Sequence, residues 1–352
     1  MKTILLTGGG TGGHVIPHLS LLPHLKKHFD KIYYIGTHSG IEKEIISKEK
    51  NIQYFEISAT KLQRDKKLSI LALPFKLLKS VCEAKKILKK LRPNIVFSKG
   101  GFVSVPVCIA AKLLKIPVVS HESDLTLGLA NKIIYKVCTK FLTTFESTSK
   151  NLKKAVWTGA PIREQLFKGS REQANRFLNL NATKQTVLIM GGSTGAMNLN
   201  KIVYSALPEL TNKYNIIHLV GKNKGDSTQT YKNYTQIEYC SNIEDIFCVT
   251  DLIVSRAGSN AIYEFLALKK PMLLVPLSNA ASRGDQLDNA NYFKQKNFAS
   301  VVLEQDLTPQ NLLDHINTLN AQKEKYKTYM NLENSYVLSG TQNILKEILK
   351  LI

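Results

Sequence analysis

The sequence contains the same short pattern twice, an apolar run that leads directly into a turn rich in glycine. Residues 5–13 read LLTGGGTGG and residues 188–196 read LIMGGSTGA, so the copies are separated by a constant 183 residues. An apolar strand that feeds a glycine turn is typical of the start of a doubly wound α/β domain. The pattern therefore predicts two similar α/β domains in tandem, joined near residues 159–161.

Short apolar runs also alternate with helical periodicity along the rest of the chain. This alternation predicts parallel sheets with helices on both faces. The apolar spacing at 77–91 predicts a helix that buries Leu77, Val81, Ala84, Leu88 and Leu91. We expect strands at 3–7, 32–35, 54–57, 95–98, 117–120, 186–190, 216–220, 252–255, 272–275 and 299–303.

The formal net charge of +21 is concentrated in one segment. From Lys61 to Arg92 there are eleven Lys or Arg residues and two acids, a net charge of +9. Such an excess suits nucleic acid or an anionic membrane. No helix-turn-helix, RNP motif or zinc finger is present, so we predict no nucleic-acid partner. Lysines interleave with apolar residues at 68–79, and the predicted membrane patch consists of Ile70, Leu71, Phe75, Lys76 and Lys79.

Two observations limit the class of protein further. The longest mostly apolar stretch, 102–111, is about half the length that a membrane-spanning helix needs. The five cysteines form no CxxC pair, which favours a reduced compartment. We therefore expect a soluble or peripheral protein.

The alternative interpretation of the basic segment, Lys61 to Arg92, is that its apolar residues belong to the core and its lysines form a solvated face.

The glycine turn at 8–13 is the first candidate site, and His14 follows it directly. Backbone N–H groups of such a turn can approach an anion or a sugar closely. The turn is not a Walker loop, because the Lys-Ser/Thr ending is absent. A histidine at the carboxyl edge of a strand, with an ordinary pKa of about 6.5, is a candidate general base. A capping role on the next helix is the alternative.

Two further polar motifs follow strands in the first half. Residues 98–104 read SKGGFVS, and Gly100 with Gly101 suggests a loop that accepts a large polar head group. Residues 121–124 read HESD, directly after the predicted strand. Ligands bind at the carboxyl ends of strands in open α/β sheets. For Glu122 and the histidine before it, a catalytic role and a helix-capping role are equally supported.

The second half carries its own polar turns. Ser193, in the turn at 191–195, can donate a hydrogen bond to a phosphate that faces the N-terminus of the next helix. The most specific motif is SRAGSNAIYE at 255–264, which places Glu264 on a helix after a small-residue turn. A carboxylate there can accept hydrogen bonds from two vicinal hydroxyls, as a ribose presents them. The alternative is an ordinary surface glutamate.

Together these motifs resemble the peptidoglycan N-acetylglucosaminyltransferases of glycosyltransferase family 28. GGTGGH, HESD, GGSTGA and SRAG followed by the glutamate occur in this order, and the resemblance covers essentially the whole chain. It implies a GT-B fold with two doubly wound Rossmann-like domains, 1–160 and 161–338, facing a cleft. It also implies that the final helix, 339–352, packs back on the first domain.

The resemblance further implies an inverting transfer of GlcNAc from UDP-N-acetylglucosamine to lipid I, the undecaprenyl-diphosphate-MurNAc-peptide. The 4-hydroxyl of MurNAc would attack, giving lipid II for peptidoglycan synthesis. The enzyme would be peripheral, on the anionic inner face of the cell membrane. No Asp-x-Asp motif is present, so we expect neither a metal ion nor another cofactor.

Site residues follow from the same motifs. We predict His14 and Glu122 as catalytic residues, and acceptor contacts at Gly100, Gly101 and Asp124. The resemblance places Thr11, Gly12 and Gly13 along the donor sugar and the acceptor diphosphate. It assigns further donor contacts to Arg163, Ser193, Ile243, Glu264 and Gln286. Three positions depart from the family pattern: Asp124 replaces a common Asn, Thr194 a frequent Gln and Leu287 a second Gln.

Other functions fit part of the pattern. A diacylglycerol glycosyltransferase or a UDP-GlcNAc epimerase would share the fold, and the epimerase would need no lipid acceptor and no basic apolar patch. A Rossmann dehydrogenase would need a ribose-binding acid after the second strand, where Gly36, Thr37 and His38 stand. A nucleotide sensor would bind UDP-GlcNAc without turnover.

Overall fold

The computed structural model describes residues 1–60, 73–178, 180–192, 195–277 and 284–352. The chain forms two compact units: unit 1 is Met1–Arg163 with Ser339–Ile352, and unit 2 is Glu164–Leu338. Each unit contains one parallel sheet flanked by helices, which confirms the predicted pair of Rossmann-like domains. Ile70, Leu71, Ser193 and Thr194 lie outside the described residues.

Unit 1 has a seven-stranded sheet in the order β3-β2-β1-β4-β5-β6-β7. From β1 the chain adds strands first on one side and then on the other, so a topological switch point lies between β1 and β4. The strands are β1 (Thr3–Thr7), β2 (Lys31–Thr37), β3 (Ile52–Ile57), β4 (Ile95–Ser98), β5 (Val118–Glu122), β6 (Lys140–Thr143) and β7 (Ala155–Trp157). The helices are α1 (Ile16–His28), α2 (Ile41–Ile46), α3 (Leu73–Leu91), α4 (Ser104–Leu113), α5 (Leu129–Val137) and α6 (Glu146–Lys150).

Unit 2 has a six-stranded sheet in the order β10-β9-β8-β11-β12-β13, with its switch point between β8 and β11. Its strands are β8 (Thr186–Met190), β9 (Asn215–Leu219), β10 (Tyr234–Ile237), β11 (Leu252–Ser255), β12 (Met272–Leu274) and β13 (Ala299–Val301). Its helices are α7 (Arg171–Phe177), α8 (Met197–Lys213), α9 (Ile243–Val249), α10 (Ser259–Ala267), α11 (Asp285–Gln295), α12 (Pro309–Ala321) and α13 (Lys323–Leu338). The remaining helix, α14 (Gly340–Leu349), belongs to unit 1.

The strands at the centre of each sheet are apolar on both faces. Every residue of β1 is buried, and Val187, Leu188 and Ile189 of β8 have no exposed surface. A parallel sheet covered by helices on both sides requires this composition, because neither face meets water. The continuous apolar runs in the sequence therefore located these strands, whereas β6, β7 and β10 were not predicted.

One predicted boundary was wrong in a way that matters for the site. The sequence pattern ended the fifth strand at Ser120, but β5 continues through Glu122. The reason is β6, which pairs with β5 up to the contact of Glu122 with Thr143. His121 and Glu122 are therefore buried strand residues and not loop residues.

The predicted apolar stripe on α3 is only partly correct. Val81, Ala84 and Leu88 are buried, but Leu77 is 36% exposed. Residues 74–79 are all exposed, so the helix contacts the core only from Ser80 onward. None of the helices in the described part of the chain is long and apolar enough to cross a membrane.

The C-terminal helix α14 is part of the core of unit 1. Ile344 and Ile348 have no exposed surface and share a hydrophobic cluster with β1 and α1. Glu347 pairs with Lys140 of β6 at 2.5 Å, and the Thr341 hydroxyl donates to the carbonyl oxygen of Ile162 at 3.1 Å. Helix α14 therefore completes the hydrophobic core of the unit that contains β1 and α1.

We predict that Ile348→Ala lowers the free energy of unfolding of unit 1 by about 2–5 kcal/mol, because it removes a fully buried side chain and leaves a cavity. Denaturant unfolding followed by the fluorescence of Trp157, the single tryptophan of the chain, reports on unit 1. Lys346→Ala is the matched control on the exposed face of α14 and should change stability by less than about 0.5 kcal/mol. Equal effects of the two substitutions would contradict the packing of α14.

Candidate active site

Two glycine turns meet at the switch point of unit 1. The turn at 8–13 follows β1, and the turn at 99–101 follows the adjacent strand β4. A Cβ atom on Gly101 would lie 2.3 Å from the carbonyl oxygen of Gly9 and 3.1 Å from Nδ1 of His14. Gly101 also has a φ of +81°, which disfavours other residues. The turns therefore interlock, and the crevice at the switch point is where α/β sheets bind ligands.

A buried carboxylate holds the first turn in place. Glu42, in the first turn of α2, has no exposed surface. Its Oε2 accepts a hydrogen bond from the N–H of Gly10 at 3.2 Å, and its Oε1 accepts one from the N–H of Thr37 at 3.0 Å. Tyr34 of β2 adds a hydrogen bond to the carbonyl oxygen of Gly8 at 2.7 Å. Sequence reasoning did not identify Glu42, since its role depends on β2 lying beside β1.

His14 lies at the end of this turn, in a short 3-10 helix formed by Gly12–His14. Its side chain is partly exposed, and its Nδ1 lies 3.0 Å from the hydroxyl oxygen of Thr11. Thr11 and Gly13 are exposed, and Gly12 is buried. The turn therefore presents a titratable ring together with a hydroxyl at the ligand edge of the sheet.

His18, one turn into α1, has a different environment. It is fully buried, and its Nε2 lies 3.2 Å from the carbonyl oxygen of Thr7. Burial, with a smaller contribution from the positive charge of Lys99, lowers the pKa of His18 to about 3. His18 is therefore a neutral core residue that supports the start of the turn.

Glu122, the second predicted catalytic residue, is largely buried and accepts several hydrogen bonds. Its carboxylate accepts from the N–H of Asp124 at 3.1 Å, the N–H of Gly128 at 3.2 Å and the side-chain amide of Asn131 at 2.9 Å. Asn131 in turn lies against Gly100, where a Cβ atom would come within 2.5 Å of it. These contacts shape the loop that carries half-buried Asp124, and they brace the second glycine turn.

A buried lysine lies beneath the second turn. Lys99 is 1% exposed, and its Nζ donates to Nδ1 of His121 at 2.5 Å and to the hydroxyl oxygen of Ser123 at 2.7 Å. Burial lowers the pKa of Lys99 to about 7, although the negative charges of Glu122 and Asp124 oppose the shift. Sequence reasoning gave this lysine no role.

Both ring nitrogens of His121 make hydrogen bonds. Because Lys99 donates to Nδ1, Nε2 carries the hydrogen and donates to the carbonyl oxygen of Gly159 at 3.1 Å. Burial lowers the pKa of His121 well below its ordinary value, and the charge of Lys99 lowers it further. His121 is therefore a neutral structural residue of β5, and the contacts of its ring do not cap a helix.

Unit 2 has a corresponding turn after β8. A Cβ atom on Gly195 would lie 2.3 Å from the carbonyl oxygen of Val220, which follows β9. The side-chain amide of Asn200 donates to the same oxygen at 3.0 Å, and Asn200 Oδ1 lies 3.1 Å from Nε2 of His218. These contacts fix the two turns beside each other at the ligand edge of the second sheet.

Three of the predicted donor residues of unit 2 lie in the first two turns of a helix. Ile243 is the first residue of α9, and Glu264 lies in the second turn of α10 and is 9% exposed. Gln286 lies in the first turn of α11, and its side-chain oxygen accepts from the N–H of Leu277 at 3.1 Å. Arg163 is half-buried and is the last residue before unit 2 begins.

Arg256, in the SRAG motif, joins three strand ends. It is buried, donates to the carbonyl oxygen of Val275 after β12 at 3.1 Å, and pairs with Glu304 after β13. Asn289 of α11 donates to the carbonyl oxygen of Ala257 at 3.2 Å. These polar residues were not given a role from the sequence, because their partners lie 19 to 48 residues away. In the described ranges, no group of three or more His, Cys, Asp or Glu is arranged to hold a metal ion.

Two protein-family models match the chain, one in each half. The model of the glycosyltransferase family 28 N-terminal domain matches residues 4–143, and that of the family 28 C-terminal domain matches residues 186–348. A Bacillus thuringiensis protein named UDP-N-acetylglucosamine–N-acetylmuramyl-(pentapeptide) pyrophosphoryl-undecaprenol N-acetylglucosamine transferase 2 is 49% identical over 332 residues, covering 93% of this chain and 94% of that protein. A Clostridium tetani transferase of the same name is 47% identical, covering 99% of this chain and 98% of that protein.

Solved structures share the fold. The crystal structure of Acinetobacter baumannii MurG aligns with a TM-score of 0.76 at 24% identity, covering 99% of this chain and 100% of that one. UDP-GlcNAc 2-epimerase from Neisseria meningitidis aligns with a TM-score of 0.69 at 17% identity, with the same coverage. Proteins with this fold thus carry out more than one reaction, so the fold alone does not identify the family. The family models and the sequence relatives do identify it. The chain belongs to glycosyltransferase family 28.

Proposed function

We propose that this protein transfers N-acetylglucosamine from UDP-N-acetylglucosamine to the N-acetylmuramyl-pentapeptide carried on pyrophosphoryl-undecaprenol, giving lipid II. The observation that carries the proposal is the near-half identity, over almost the whole chain, to relatives whose names state this reaction. The site geometry supports it, because each unit presents a glycine turn at its switch point. The enzyme is thus a hexosyltransferase of peptidoglycan precursor synthesis.

Unit 1 is assigned the acceptor. The interlocked turns offer backbone N–H groups and the Thr11 hydroxyl, which suit the diphosphate of a polyprenyl carrier. Lys99, buried beneath Gly100 and Gly101 with a pKa of about 7, is partly charged at neutral pH and adds positive potential. Asp124, in the loop held by Glu122, borders the same edge and is assigned to the acceptor sugar.

Unit 2 is assigned the donor. Glu264 is placed to bind the ribose hydroxyls, and the backbone at Ile243 is assigned to the uracil. Ser193, which follows β8 in the sequence, and Arg163 are assigned to the diphosphate, and Gln286 to the GlcNAc hydroxyls. The side-chain oxygen of Gln286 is already bonded to Leu277, so its amide group would donate to the sugar.

The proposed chemistry is one direct displacement with inversion. His14 takes the proton of the acceptor 4-hydroxyl as its oxygen bonds to the anomeric carbon, and the bond to the UDP oxygen breaks. His14 is favoured over Glu122 as the base. His14 is partly exposed at the ligand edge. The buried Glu122 carboxylate instead accepts hydrogen bonds from two backbone N–H groups of the following loop and from Asn131 of α5.

The start of α3 is the proposed membrane face. Phe75 is 77% exposed and Leu78 62% exposed, and the exposed residues Lys76 and Lys79 lie beside them. Exposed apolar side chains among lysines suit the anionic inner face of a cell membrane. On the same side of the sheet, α5 adds Leu129, which is 56% exposed. The protein would thus be peripheral on the cytoplasmic side, where it can meet a lipid-borne acceptor.

The direct test is incubation with UDP-N-acetylglucosamine and a lipid I analogue. We expect UDP release together with a disaccharide product that requires both substrates. UDP-GlcNAc binding without product would indicate a nucleotide sensor. Conversion of UDP-GlcNAc to an epimer without acceptor would indicate an epimerase.

We predict that Glu264→Ala weakens UDP binding about ten- to a hundredfold, because hydrogen bonds to a charged group contribute roughly 1.5–3 kcal/mol. Isothermal titration calorimetry with UDP measures the change directly. Glu209→Ala, at an exposed position of α8 in the same unit, should leave the affinity unchanged. An unaltered dissociation constant in Glu264→Ala would remove this carboxylate from the ribose.

We predict that His14→Ala binds UDP normally but lowers kcat roughly 10²–10⁴-fold, the usual contribution of a positioned general base. In Glu122→Gln, we expect a lower melting temperature, because an amide N–H would replace one acceptor oxygen facing backbone donors. If His14→Ala retains turnover while Glu122→Gln abolishes it at unchanged stability, Glu122 is the base.

We predict that Lys76→Glu with Lys79→Glu lowers binding to anionic vesicles at least tenfold, since each basic residue near such a surface contributes about 1 kcal/mol. Vesicle sedimentation at low salt measures the binding. Lys89→Glu with Lys90→Glu makes the same charge change at the exposed far end of α3 and should have a smaller effect. Equal losses in both variants would show a response to net charge alone.

A further inference from the structure

The contact between Thr11 and His14 can be made in two ways. The Thr11 hydroxyl oxygen lies 3.0 Å from Nδ1 of His14. A hydroxyl has one hydrogen and a neutral imidazole has one N–H, so either partner can be the donor. If Thr11 donates, the ring hydrogen is on Nε2. If Nδ1 donates, Nε2 carries a lone pair, and the hydroxyl hydrogen of Thr11 points elsewhere.

The local structure keeps these two atoms together. The backbone N–H of His14 donates to the carbonyl oxygen of Thr11 at 3.1 Å, which closes a single tight turn. On the other side of the ring, the absent side chain of Gly101 leaves just enough room, since a Cβ atom there would lie 3.1 Å from Nδ1. The residue before Thr11, Gly10, is also fixed, because its backbone N–H donates a hydrogen bond to the carboxylate of Glu42. The Nδ1 atom therefore faces Thr11 whichever tautomer is present.

We infer that a diphosphate bound at the exposed Thr11 hydroxyl selects the tautomer of His14 that can act as a base. Thr11 then donates its only hydrogen to a phosphate oxygen and must accept from Nδ1–H, which leaves the lone pair on Nε2. Thr11 is thus a positioning residue whose hydroxyl connects ligand binding to the protonation pattern of the ring. The inference rests on the proposed function, since it gives His14 the base role.

The proton balance of the step is complete. The acceptor hydroxyl proton moves to Nε2, the acceptor oxygen bonds to the anomeric carbon, and the bond to the UDP oxygen breaks with its electron pair. His14 is then an imidazolium whose Nδ1–H still donates to Thr11, and it returns a proton to water. A carboxylate in the place of Thr11 would hold the same tautomer permanently, whereas a hydroxyl does so only when its own hydrogen is engaged.

The surroundings favour an anion as the group that engages Thr11. Lys99 is buried at the end of the adjacent strand and, with a pKa of about 7, is partly charged at neutral pH; its charge is close enough to lower the pKa of His18. The carboxylate of Glu42 is already engaged with the N–H groups of Gly10 and Thr37. A diphosphate is present in both the proposed donor and the proposed acceptor, so the experiment separates the two sources.

The test is nitrogen NMR of the full chain with ¹⁵N-labelled histidine side chains, near pH 8. The His14 signals among the eight histidines are assigned by their loss in His14→Gln. We expect farnesyl diphosphate, standing in for the acceptor carrier, to shift His14 toward the Nδ1-protonated tautomer. A shift with UDP alone would support the inference with the donor as the source. No shift with either ligand would overturn it.

Two variants separate the hydroxyl from the shape of the side chain. Thr11→Val keeps the shape without the hydroxyl, and Thr11→Ser keeps the hydroxyl. We expect Thr11→Val to abolish the tautomer shift and to lower kcat about ten- to a hundredfold, and Thr11→Ser to retain both within about threefold. Wild-type kcat in Thr11→Val would overturn the inference. Failure of the proposed function would be distinguishable from failure of this inference, because the wild-type enzyme would then release no UDP.

Discussion

The geometry of unit 1 depends on two glycine turns whose backbones are packed directly against each other. With 2.3 Å between the carbonyl oxygen of Gly9 and the position of a Cβ atom on Gly101, neither side chain nor solvent can separate the turns. The parallel pairing of β1 with β4 brings them to this distance, and Glu42 stops the first turn from moving away. The position of His14, and hence the proposed chemistry, follows from this constraint.

Burial determines what each histidine of the two sheets can do. His18 and His121 in unit 1 and His218 in unit 2 are buried, and burial lowers the pKa of each, to about 3 for His18 and His218. They act as neutral hydrogen-bonding groups that hold carbonyl oxygens or amides at the strand ends. His14 is partly exposed, so it alone among these four is placed to exchange a proton with a ligand.

The sequence alone was sufficient to predict the elements that depend on interactions between neighbouring residues. Continuous apolar runs identified the central strands, and the glycines after β1, β4 and β8 identified the turns. Their neighbours could not be deduced, because strand order is decided by packing over long separations. Hence the partners of Glu42 and Arg256 were missed, and β5 was ended two residues too early. The exposure of Leu77 was missed for a related reason, since helical spacing does not show where a helix leaves the core.

The position of α14 has a consequence for how the chain folds during synthesis. Unit 2 is one uninterrupted segment, Glu164–Leu338, and it is complete as soon as that segment has left the ribosome. The segment Met1–Arg163 of unit 1 is synthesised earlier, but unit 1 lacks Ile344 and Ile348 from its core until α14 has been made. Domains usually form in the order in which they are made. Here unit 1 must wait for α14, so a truncation that removes α14 would damage unit 1 and leave unit 2, Glu164–Leu338, intact.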